Sequence, residues 1–201
     1  MATTEMTKTR ERLMDELLAK EAIREAINRF SRGIDRQDSE LAKSVYHDDA
    51  RDDHIGYTGS GHGLVDWVNG YEGPDGWVRG YLQDQYVQHY VTNTTIDLDL
   101  DNDVAHVESY YQMVERPMDS AAMTQIFGGR YIDRFECRDG RWAIAARMIT
   151  VAWSTDAEIY AQIEQIGNPS LPSRDDISYK RPLTVDREDR AMLGPGTPGW
   201  K

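Results

Sequence analysis

QHYVTNTTIDLDL, residues 88–100, decides the fold. Thr94, Ile96, Leu98 and Leu100 alternate with Thr95, Asp97 and Asp99, so an extended chain here has one apolar face and one wet face. Three further segments rich in β-branched and aromatic residues follow it, 104–116, 124–137 and 142–153, with turn signals at Asp101-Asn102-Asp103 and Arg138-Asp139-Gly140. Four strands in succession imply a largely antiparallel sheet. Upstream the period changes. From Thr7 to Asp35 the apolar residues Leu13, Leu17, Ile23, Ala26, Ile27 and Phe30 recur at helical spacing. Gly33 interrupts that pattern, and Asp38-Ser39-Glu40 can cap a second short helix running through Leu41, Val45 and Tyr46. Asp35 therefore falls at a helix end or in the connecting turn.

Between these halves, Asp48 to Gly63 is dense in Asp, Gly and Ser and reads as loop, with one short strand around Ile55-Gly56-Tyr57. Leu64–Tyr71 and Trp77–Asp84 read as short helices flanking the turn Gly73-Pro74-Asp75-Gly76. Helices first and strands after give the α+β class. A mostly antiparallel sheet whose apolar face is closed by the early helices forms a cone-shaped α+β barrel, with an apolar pocket at its open end suited to a small apolar ligand. The expected organisation is one domain over residues 1–154 and a tail over 155–201. That tail carries a short helix at Asp156–Ile166, then an extended stretch containing Pro169, Pro172, Pro182, Pro195 and Pro198.

Composition narrows the partners. The 201 residues carry a net charge of -12, which repels nucleic acid and anionic membrane surfaces alike. The first twenty residues are charged throughout, and no apolar run approaches membrane-spanning length, so a cytoplasmic protein is expected. The single cysteine, Cys137, can form neither an internal disulfide nor a thiolate metal site alone. His54 beside Asp52 and Asp53 lacks the paired spacing of a metal site. It reads, with His47, His62 and His106, as a solvated histidine. No dinucleotide fingerprint or phosphate loop occurs, and no cofactor is expected.

The string GIDRQDSELAKSVYHDDA, Gly33–Ala50, together with QHYVTN around His89 and GGRYIDRFECRDGRWAIAARMI, Gly128–Ile149, resembles the SnoaL-like branch of the nuclear transport factor 2-like superfamily. The nearest members by these motifs are hexachlorocyclohexane dehydrochlorinase, scytalone dehydratase and bile acid 7α-dehydratase. The resemblance implies that Asp35 hydrogen-bonds His89 at the mouth of the pocket and that Arg147 is a pocket arginine. An Asp held against one imidazole nitrogen fixes the tautomer and leaves the other as a proton acceptor. His89 would then be the base, Asp35 its orienter, and Arg147 a stabiliser of a developing anion. One departure stands out: relatives place Lys or Tyr where this chain has Phe30. A polar helper must come from elsewhere, and Tyr46, Tyr57, Tyr110 and Tyr131 are candidates, with Tyr57 placed first.

Trp67, Tyr71, Trp77, Tyr81 and Tyr86 add flat surface ahead of His89, and Phe30, Tyr46, Trp67, Tyr110 and Tyr131 are the expected lining. The resulting expectation is a cofactor-independent lyase that removes a proton and eliminates water, halide or a small aldehyde from a small apolar cyclic or aromatic compound. The rival readings are a steroid-type ketone isomerase and a non-catalytic ligand-binding or assembly module, such as a dioxygenase small subunit. A homo-oligomer is expected, a trimer ahead of a dimer.

Overall fold

The structure, a computed structural model, describes residues 9–54, 56–118, 124–157, 173–175 and 179. Helix α1 (Arg10–Asp35) begins where the Thr9 hydroxyl accepts a hydrogen bond from the Arg12 amide. Its Ile23, Ala26, Ile27, Phe30 and Ile34 form one buried stripe. Helix α2 (Ser39–Lys43) starts at Asp38, whose carboxylate accepts from the Leu41 amide. The two helices meet at Gly33: a Cβ there would lie 2.6 Å from the Ala42 nitrogen and 2.8 Å from its Cα. Only glycine allows this approach, and it sets the corner from which Asp35 emerges.

Next come β1 (Tyr46–His54), β2 (Tyr57–Ser60), α3 (Gly61–Asn69), β3 (Gly70–Gly73) and β4 (Gly76–Arg79). Four long strands complete the order: β5 (Gln85–Asp99), β6 (Val104–Pro117), β7 (Thr124–Arg138) and β8 (Arg141–Ala157). The main sheet runs β2-β1-β8-β7-β6-β5; β1 lies parallel to β8, and every other neighbouring pair is antiparallel. Register shifts at Val91/Thr94, Gly128/Gly129 and Arg134/Phe135 add the local twist and bend that bulges impose. The curved sheet is not closed. Its inner face packs Val107, Tyr111, Tyr131, Phe135 and Ile144 against the α1 stripe. Its outer face leaves Tyr90, Tyr110, Ile132 and Met148 exposed.

The α+β class, the first helix and all four long strands match the sequence reading. The middle of the chain differs. The segment 48–63, expected as loop with one short strand around 55–57, holds most of β1, all of β2 and the start of α3. Asp is a poor strand former, but β1 is held between β2 and β8, and pairing overrides propensity. The second helix ends at Lys43, so Tyr46 opens β1 instead of closing a helix. Trp77–Asp84 contains β4, paired with β3 across the anticipated Gly73–Gly76 turn, where Gly76 has φ 107°. Strands of four residues are too short to show a period. Asp156 and Ala157 belong to β8; the remainder of the expected 156–166 helix and most of the tail lie outside the described residues. Among the described residues no helix is long and apolar enough to cross a membrane.

Two described tail residues return to the α1–α2 corner. Arg174 donates to Asp38 (2.5 Å) and Glu40 (2.8 Å), and the Tyr179 hydroxyl donates to Asp38 (2.8 Å) while its ring lies 4.4 Å from the Arg32 guanidinium. Burial pushes the Asp38 carboxyl up, but the Arg174, Tyr179 and Leu41 hydrogen bonds outweigh it and the net shift is downward. A lowered folded value means that stability is present above the ordinary carboxylate range and is lost as pH falls through that value. Asp38→Ala is expected to cost about 1 kcal/mol at neutral pH. In urea denaturation the gap to the parent chain should close as pH drops below roughly 4.

Candidate active site

The open end of the cone holds an apolar cavity of about 320 Å³, a size suited to a small ligand. Phe30 and Ile34 of α1, Leu64, Trp67 and Val68 of α3, and Tyr111, Phe127 and Tyr131 of the sheet border it. Flat surfaces dominate. Trp67 and Tyr81 stack with centroids 5.1 Å apart and planes 3° from parallel, and Tyr111 stacks on Tyr131 at 4.6 Å. Such walls favour a flat ring system.

Asp35, at the last residue of α1, reaches β5 twice. The His89 backbone N–H donates to Oδ2 at 3.0 Å, and His89 Nδ1 lies 2.5 Å from Oδ1. A carboxylate can only accept, so Nδ1 carries the hydrogen and Nε2 is left with its lone pair. The His89 side chain is 4% exposed, and its ring borders the cavity. This is the arrangement of an oriented general base.

A second pair faces the same cavity. His54, at the end of β1, bonds through Nδ1 to Asp52, and Asp52 also accepts from the Tyr46 hydroxyl at 2.7 Å. Asp52 is 1% exposed. The His54 ring borders the cavity, 6.3 Å from the Phe30 centroid, and His89 lies 6.5 Å from that same ring. His54 is not the solvated loop histidine expected from the sequence, because 46–54 is a strand. The signal was present: Asp52 and His54 are two residues apart, and on a strand they share a face.

Glu115 on β6 is the third polar group at the cavity and was not singled out from the sequence. It is 4% exposed; its Oε1 accepts from the Tyr81 hydroxyl at 3.2 Å, and Oε2 has no hydrogen-bond partner among the described residues. Burial pushes its carboxyl up, against weaker opposing effects from Tyr81, Gln85 and His89.

The other anticipated site residues are distributed differently. Arg147 does not border the cavity. It is wholly buried behind Phe30 and Tyr131, whose ring centroids lie 4.3 and 4.4 Å from its guanidinium carbon, and Nε and Nη2 each donate to Asp133 at 2.7 Å. Burial works against its charge; the neighbouring Asp133, Tyr46 and Asp52 groups outweigh it and raise its pKa. Tyr57 turns its hydroxyl to the Ser60 carbonyl at 3.0 Å, and Tyr46 is committed to Asp52. Tyr110 is on the outer face, 46% exposed. Tyr131 borders the cavity, and burial pushes its phenol up, which keeps it a neutral donor. Of the aromatic set ahead of His89, Trp67 and Tyr81 border the cavity, whereas Tyr71 and Trp77 are exposed and Tyr86 pairs with Arg116.

His47 is buried, its Nε2–H donating to the Glu136 carbonyl at 3.0 Å, so it is not the solvated residue expected. Among the described residues no group of three or more His, Cys, Asp or Glu side chains is placed to hold a metal ion.

The model of the SnoaL-like domain family matches residues 15–148. No curated protein matches the chain. Among solved structures, it is similar to a candidate scytalone dehydratase of Novosphingobium aromaticivorans, with 21% identity over 73% of this chain and 92% of that one and a TM-score of 0.55. It is also similar to a type 2 hexachlorocyclohexane dehydrochlorinase, at 19% identity, 73% and 95% coverage and a TM-score of 0.60. A type 3 dehydrochlorinase from Novosphingobium barchaimii gives 18%, 72% and 93%, and 0.58. These likenesses are likenesses of fold.

The Arg147–Asp133 pair forms the support beneath the cavity, and both side chains have no exposure. Removing one charge strands the other. Asp133→Ala is expected to cost about 3–5 kcal/mol, read as a lowered midpoint in thermal or urea unfolding. The joint replacement Asp133→Leu with Arg147→Met should recover most of that loss.

Proposed function

The chain belongs to the SnoaL-like domain family, and from that premise we propose that it is a cofactor-independent lyase acting on a small apolar cyclic or aromatic compound. One observation carries the reading: Asp35 holds both the backbone and the ring of His89 at the wall of an apolar cavity. A base oriented in this way is costly to keep in a pure binding pocket, since both groups lose water on burial. In the proposed reaction His89 Nε2 removes a proton from a carbon next to a carbonyl or leaving group. The Asp35 carboxylate stabilises the imidazolium that forms. The C–H electron pair forms the C=C bond while the bond to the leaving group breaks with its pair on that group, so no oxidant or reductant is needed, and the stacked Trp67–Tyr81 and Tyr111–Tyr131 pairs suit a flat substrate.

An isomerase is the second reading, and Glu115 is the observation that favours it. Burial pushes this carboxyl up and one of its oxygens is unpartnered among the described residues, and a carboxyl that holds its proton can donate to an oxyanion. In that case the proton taken by His89 would be returned to the substrate at another carbon. The mass of the product separates the two, since isomerisation loses no atoms.

The base is tested with 5-nitrobenzisoxazole, whose ring opens on loss of one carbon-bound proton to give a coloured phenolate. The full chain is expected to open it faster than buffer. His89→Ala and Asp35→Asn should each lower that rate by about 10²–10⁴-fold with unchanged circular dichroism. Rates indifferent to both substitutions would leave a binding module in place of an enzyme.

The exposed Tyr90, Tyr110, Ile132 and Met148 on the outer sheet face support a homo-oligomer. Sedimentation of the full chain should then give a multiple of its 23.0 kDa mass. A lone species at the chain mass would remove the proposal.

A further inference from the structure

Glu115 lies on β6 at the same spacing as Tyr111 and Met113, and all three border the cavity. Among the described residues around it, Glu115 is the one carboxyl, and none is Lys or Arg. It is 4% exposed. Its Oε1 accepts from the Tyr81 hydroxyl at 3.2 Å, but Oε2 has no hydrogen-bond partner among the described residues. The neighbouring Gln85 side chain donates instead to the Tyr81 carbonyl, at 3.5 Å. A buried carboxyl with one oxygen unmatched is costly to the fold. Packing alone calls for no such group, since Met or Leu fills a similar volume without that cost.

What completes Oε2 must therefore come from the ligand, and an ionised carboxylate accepts only from a donor. The surroundings select a charged donor. The imidazoles of His54 and His89 have Nδ1 tied to Asp52 and Asp35 and present Nε2 as acceptors, so they add no competing donor. The stacked Trp67–Tyr81 and Tyr111–Tyr131 pairs offer ring faces, the negative side of an aromatic quadrupole, and such faces attract a cation. Arg147 lies behind Phe30 and Tyr131, but its charge is matched by Asp133. The net charge of -12 on the chain also favours a positive ligand over a negative one.

We propose that Glu115 is a specificity-determining residue that selects flat arylalkyl amines, taking their ammonium group at Oε2 while the ring system lies against the aromatic walls. This rests on the reading of the cavity as the substrate site. The Tyr81 hydroxyl keeps Oε1 in place, so the second oxygen is presented in a fixed direction. Burial pushes the free carboxyl up, and an ammonium beside it supplies the opposite charge that favours the ionised form. With the amine bound, the carboxylate has no proton to give to an oxyanion, so this inference goes with the lyase and not with the isomerase. Val87, the cross-strand partner of Glu115, is two residues from His89 on β5. The ammonium is thus anchored one same-face step from the base.

The test is calorimetric titration of the full chain at neutral pH with two probes of one shape. 2-Naphthylmethylamine is a cation there, and 2-naphthylmethanol is its neutral counterpart; both are flat and both carry a donor. The amine is expected to bind about 10-fold or more tightly than the alcohol. In Glu115→Gln, with circular dichroism unchanged, that advantage should disappear while the affinity for the alcohol stays nearly the same. Glu115→Met, which fills the volume without a polar atom, should lose the advantage in the same way. Equal affinities in the unaltered chain, or a preference for the alcohol, would overturn the proposal. So would an advantage for the amine that survives both substitutions, since the overall charge of the chain would then account for it. Each of these results leaves the base reading to its own test by ring opening. Binding of neither probe would take down the cavity as a substrate site and this inference with it.

Discussion

A guanidinium with no access to water has to be paired, and the way Arg147 is paired shapes everything around the cavity. Its two donors to Asp133 join β8 to β7 across the sheet, and its guanidinium lies against the rings of both Phe30 and Tyr131. Phe30 in turn is the ring against which Tyr46, His54, His89 and Tyr131 are arranged. A charge that cannot leave its partner makes a rigid floor, because any shift of β7 against β8 would break hydrogen bonds that water could not replace. The cavity walls inherit that rigidity.

On this floor the α1–α2 corner does the positioning. Gly33 lets α2 approach α1 closely enough that the chain turns immediately after Asp35. The carboxylate then grips the His89 backbone and ring at once. A contact to the ring alone would leave the strand free to slide; a contact to the backbone alone would leave the ring free to rotate. Arg174 and Tyr179 brace the same corner from outside through Asp38. The geometry of the Asp35–His89 pair is thus maintained from both ends of a short turn.

Phe30 also explains where the polar chemistry went. Family resemblance puts a polar side chain at that position, and this chain has a hydrocarbon ring there. The Phe30 ring lies against the buried Arg147 and borders the cavity that the arginine does not reach. The polar functions at the cavity come instead from β1 and β6, through His54 and Glu115.

The Asp35–His89 pairing came only from the family resemblance, whereas the long strands, the first helix and the capped second helix were legible in the residues themselves. Each depends on local periodicity, a capping residue or a motif carried by contiguous residues: the alternation in 88–100, the apolar stripe from Ile23 to Ile34, Asp38 ahead of Ser39. Tertiary structure alone decided the rest. Asp48–His54 is a strand only because β2 and β8 lie on either side of it, and no local propensity foretells that pairing. Arg147 is withdrawn from the cavity because Asp133, fourteen residues earlier in the chain, lies directly across from it in the sheet. His54 meets His89 in one cavity because the sheet curves, and curvature is a property of six strands in register with their bulges, which no single segment contains.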